Sequence, residues 1–114
     1  MDNDLFQQVE TLQKKLDISV SALRKTGQEM ARTEMEYKML VSTETLRLRD
    51  EGMPATLIDK VVQGLKHVAK AKFDWTVAEA MYSANQDAIN AYKLQMRLLD
   101  SQINREWSQA GRNV

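Results

Sequence analysis

Residues 68–103 read VAKAKFDWTVAEAMYSANQDAINAYKLQMRLLDSQI, and their spacing decides the fold. Val68, Trp75, Tyr82, Ile89, Met96 and Ile103 recur every seven positions, with Ala71, Ala78, Asn85, Tyr92 and Leu99 at the other step of the heptad. Ten of these eleven positions are apolar, Asn85 being the exception. Chance would fill a frame this way in about one case in a thousand, so the period marks a helix packed along another helix.

Toward the amino terminus lies a second run of the same kind: Val9, Leu16, Leu23, Met30 and Tyr37, accompanied by Leu5, Leu12 and Leu40. Its polar members, Ser19, Thr26 and Thr33, are small, and Gly27 lies among them, which predicts close helix packing or a kink there. Between the two runs stands Gly52-Met53-Pro54. A glycine that adopts the left-handed conformation stops a helix, and a proline keeps the residue before it out of helical angles while suiting the first turn of the next helix. The reading is therefore all-α: a long antiparallel helical hairpin with a short helix at the turn. The expected elements are a helix from about 4 to 51 capped near Asp2 to Asp4, a short helix from about 54 to 63, a helix from about 65 to 107 and a frayed tail over 108–114, all in one domain.

A single seam leaves Phe6, Ile18, Met39, Val41, Leu46, Leu48, Leu94, Leu98 and Trp107 uncovered. Surplus apolar surface beside a hairpin is covered most economically by a second chain, so a homodimeric four-helix bundle or a larger homo-oligomer is expected.

Composition narrows the function by exclusion. The 114 residues carry 16 basic and 16 acidic side chains, so no global field steers the chain to nucleic acid or an anionic membrane. The absence of cysteine excludes disulfides, thiolate metal sites and a cysteine nucleophile. No apolar run reaches a membrane span, and acidic Asp2 and Asp4 stand where a signal peptide is basic, so a cytoplasmic protein without membrane contact is expected. His67 is the single histidine, with Lys66, Lys70 and Lys72 around it and no nucleophile elbow to use it. Glu34, Glu44 and Glu79 lack the Glu-x-x-His pairs of di-metal bundles, and there is no phosphate loop or zinc spacing. Neither catalytic residues, cofactor nor metal is expected, and the chain reads as a non-enzyme. Tyr37, Trp75, Tyr82 and Tyr92 fall on the seam as core aromatics, with a small ligand pocket beside Asn85 as the alternative.

Two surfaces remain as candidates. The corner can present Met53, Leu57 and Ile58 at the end of a stem, and Trp107 can either cap the bundle against Phe6 or serve as an anchor; these are the candidate partner-binding residues. Lys66, Lys70 and Lys72 fall within two turns with no acid among them, a candidate nucleic-acid-binding stripe.

The stretch RLRDEGMPATLIDKVVQGLKHV (47–68), followed by VAEAMYSANQDAINAYKLQMRLLDSQINREW (77–107), resembles small helical proteins from the early regions of phages and prophages of Gram-positive bacteria. The Glu-Gly-Met-Pro-Ala-Thr corner is the most distinctive part, and the likeness covers about residues 30–107. Such proteins sit beside replication and recombination genes. The resemblance implies an accessory that acts in the host bacterial cytoplasm by binding a host or phage protein of DNA metabolism or defence. Nucleic-acid binding through the basic turn is the alternative.

Overall fold

The computed structural model describes residues 2–112, with side chains for 4–111. Its elements are α1 (Asp2–Asp50), α2 (Ala55–Gly64) and α3 (Lys66–Arg112), and there is no strand among the described residues. The chain is an all-α helical hairpin with a short helix at its turn. The heptad frame holds at each position read from the sequence: every seam residue from Leu5 to Leu40 on α1 and from Val68 to Ile103 on α3 is buried or half-buried. Side-chain capping by Asp2 and Asn3 lies outside the described side chains. At the other end α3 continues through 108–112, where a frayed tail was expected, because no proline or left-handed glycine interrupts it; residues 113 and 114 lie outside the described residues.

The corner is built by a Schellman motif. The Met53 amide donates to the Leu48 carbonyl (3.1 Å) and the Gly52 amide to the Arg49 carbonyl (3.0 Å), which satisfies carbonyls that the end of α1 would leave open. The motif needs a left-handed residue, and Gly52, at φ +87°, supplies it without the Cβ clash another residue would meet. Pro54 is the cap of α2 and not its first residue; its carbonyl accepts the Leu57 amide at 2.9 Å. The second break falls on Leu65, which is extended at φ −65° and ψ 135°, while Gly64 is still helical.

The chain forms two compact units. The first, Lys25–Ser83, holds the end of α1, all of α2 and the start of α3. Its core is Leu48, Ile58, Val62 and Val68, with Tyr37, Leu40, Val41, Met53 and Leu65 packed around them. Leu48 and Val41 lie off the seam, yet they find cover because α2 folds over them. Contacts between Gly27 and Tyr82, Tyr37 and Trp75, and Glu44 and His67 run in antiparallel order. Thr33 is buried with its hydroxyl on the Glu29 and Met30 carbonyls, so its polarity is satisfied within its own helix.

The second unit combines Met1–Arg24 with Ala84–Val114. Leu5 and Ile89 are its buried apolar residues, and the remaining seam residues are half-buried. Asn85, the polar exception on the α3 seam, donates from Nδ2 to the Ser19 backbone carbonyl at 2.9 Å. That bond accounts for the asparagine as a clamp between helices.

Candidate functional site

Alternate sides of α2 do different things. Its apolar residues come in two pairs, Leu57 with Val61 and Ile58 with Val62, about 100° apart around the helix. Ile58 and Val62 turn inward, at 6% and 0% exposure. Ile58 is therefore a core residue and not a docking residue, and Met53 is half-buried against the same core through its place in the Schellman motif. Of the three corner residues only Leu57 is presented to solvent, at 50% exposure, and Val61 stands beside it one turn on. The corner thus offers a short apolar edge, Leu57 and Val61, narrower than the sequence suggests.

The charges near the corner are largely matched. Arg47 bridges Glu44 (2.7 Å) and Glu51 (3.0 Å), and the same Glu44 receives His67 Nε2 at 3.0 Å. The Arg47 hydrogen bond holds the Glu44 carboxyl below the usual glutamate range, with a smaller contribution from His67. His67 is therefore engaged with an acid 23 residues earlier, a pairing invisible in the local sequence. The basic stripe is partly neutralised as well: Lys70 pairs with Asp74 at 3.0 Å, while Lys66 and Lys72 are exposed. With Lys70 paired, Lys66 and Lys72 and the exposed Phe73 beside them make a weak electrostatic footprint for nucleic acid. Among the described residues no group of His, Asp and Glu side chains is placed to hold a metal ion, and no helix is long and apolar enough to cross a membrane.

In the second unit Trp107 is exposed at 68%, and it shares with Phe6, Leu5 and Ile103 a cleft of about 110 Å³. It lies beside Phe6 with most of its ring in solvent. Two of the seam aromatics pack on each other: Tyr37 lies 5.5 Å from Trp75, centroid to centroid, and its hydroxyl donates to Gln63 Oε1 at 2.9 Å.

The largest feature missed in the sequence is the apolar outer surface of α3. Phe73, Val77 and Met81, one turn apart, are exposed at 67%, 43% and 59% and line a groove of about 660 Å³ with Lys25, Glu29 and Arg32 of α1. Leu94 and Leu98 are likewise exposed in the second unit. Among the described residues fourteen large hydrophobic side chains are exposed and eight hydrophobic residues are buried, so much apolar surface is left uncovered. No protein-family model, curated protein or solved structure matches this chain.

Proposed function

We propose that this is a non-enzymatic helical interaction protein that self-associates and binds a second polypeptide. The observation that carries the reading is the set of fourteen large hydrophobics exposed among the described residues, arranged in part as one-turn-spaced stripes on the outer faces of the helices. Such stripes are what an amphipathic partner helix docks against. Homo-oligomerisation covers part of this surface, and the edge formed by Leu57 and Val61, with Trp107 as a separate anchor, engages a host or phage protein of DNA metabolism or defence in the bacterial cytoplasm. The phage-like corner motif supports that setting.

Pull-down from a Gram-positive host lysate tests the reading, comparing the wild type with Leu57→Glu/Val61→Glu and with Lys66→Glu/Lys70→Glu/Lys72→Glu. A polypeptide retained by the triple-lysine variant and lost with the apolar pair is the expected result. Salt-steep DNA binding lost in the triple-lysine variant, with helicity unchanged, would replace this function with nucleic-acid binding.

A further inference from the structure

Helix α3 carries a second heptad seam on the side opposite its buried one. Phe73, Val77, Ala80 and Ala84 are followed by Asp87, Ala91, Leu94 and Leu98 at alternating steps of four and three residues, and seven of the eight are apolar. All eight are exposed. Because α3 is unbroken from Lys66 to Arg112, the seam follows one element for about 38 Å. It ends where Lys70 and Ser101 take the next seam positions.

We propose that this seam packs against the same seam of a second copy of the chain, α3 antiparallel to α3, with the two-fold axis between Asn85 and Gln86. The proposal rests on the self-association part of the function above and names its face, direction and register. In this register Phe73 meets Leu98 of the second copy, Val77 meets Leu94, Ala80 meets Ala91, and Ala84 meets Asp87. Each position of one heptad type faces the other type, as antiparallel helices require. Sliding by one heptad places Val77 against Asp87, or Phe73 against Arg105. Only the proposed register matches large residues with large and small with small. The small residues sit at the axis, where crossing helices come closest, and the large ones fill the space where the helices diverge.

The area is comparable to what a specific dimer needs. Eight seam and eight flanking residues per copy, scaled from about 800 Å² for 20–30 residues, bury roughly 430–640 Å² on each side, a total that brackets the ~1,000 Å² of a specific interface. One residue opposes the pairing. The two Asp87 side chains lie within about one helical turn of each other across the axis, as like charges.

The chain has no cysteine, so engineered cysteines report the register directly. Ala80 and Ala91 lie about 16 Å apart along one helix, beyond the ~7 Å that a disulfide spans between Cα atoms, so they cannot bridge within a chain. Under mild oxidation the A80C/A91C variant is expected to form a covalent dimer. A80C alone and A91C alone remain unlinked, and a mixture of the two single variants links A80C chains to A91C chains. Asp87→Ala is expected to tighten the dimer by roughly fivefold in sedimentation equilibrium, through loss of the like-charge pair. Single variants that self-link would overturn the antiparallel direction. A wild type dimeric in sedimentation, with no cross-link in the folded double variant, would overturn this face and leave self-association standing. A monomeric wild type at about 100 µM, far above a micromolar dissociation constant, would overturn both.

Discussion

Val61 and Val62 are neighbours of identical chemistry with opposite fates, and comparing Val62→Ala with Val61→Ala tests the setting of α2. Val62 is wholly buried among Leu48, Ile58 and Val68. Truncation removes two carbons, about 1.6 kcal/mol of transfer free energy, and the unfilled space adds about 1 kcal/mol. Alanine's better helix propensity returns about 0.5 kcal/mol, leaving a net loss of about 2 kcal/mol. Spread over an unfolding entropy of about 2.1 cal/mol/K per residue, that lowers the melting temperature of a cooperatively unfolding 114-residue chain by about 8 °C. Val61 is 37% exposed, and solvent fills the space left by its truncation. Its smaller transfer loss nearly cancels against the propensity gain, for a net change of about 0.5 kcal/mol or less. Urea unfolding followed by circular dichroism, at one fixed protein concentration, measures both. A loss in Val61→Ala equal to or greater than that in Val62→Ala would mean that α2 is rotated by one residue and that Leu57 is not presented to solvent.

Three further outcomes follow from individual contacts. A Cβ at Gly27 would lie 3.3 Å from Tyr82 Cε2, so Gly27→Ala should stay within about 1 kcal/mol of wild type, ring displacement offsetting the helix propensity gain, whereas Gly27→Leu overpacks the contact and should cost about 2 kcal/mol or more in thermal melts. Asn85→Ala removes the bond to the Ser19 carbonyl and should cost about 1 kcal/mol, read from the urea midpoint. The carboxyls of Glu29 and Glu44 are held below the ordinary range by their bonds to Arg32 and Arg47. Their contribution to stability is therefore present above about pH 4.3 and is lost as the pH falls through the lower native values; Arg47→Gln should flatten that acid dependence of the melting temperature, and an unchanged profile would refute the pairing.

Much of the fold is legible in the sequence because a two-helix seam is a local pattern repeated many times. Val68 through Ile103 and Leu5 through Leu40 are covered as their period requires. The Gly52 stop is legible for the same reason, since the left-handed corner is a property of one residue and its immediate neighbours. What escapes the period is the rotation of α2. Two adjacent apolar pairs on ten residues give no preference for which pair turns inward; the exit from the Schellman motif and the extended Leu65 decide it, moving Ile58 into the core. Pairings across long separations, His67 with Glu44 and Gln63 with Tyr37, are likewise set by tertiary neighbours. The second seam of α3 is present in the sequence but shares the period of the first. Its alanines also pass as ordinary helix formers, and only the exposure of Phe73, Val77, Leu94 and Leu98 separates the two faces.

The central claim, that the exposed apolar faces exist to be covered by other polypeptide, is tested most directly by the mass of the protein in solution. Sedimentation equilibrium of the wild type at about 100 µM, where a micromolar complex is nearly saturated, should return twice the 13.1 kDa chain mass or a higher multiple. A single species at 13.1 kDa across that range would contradict it.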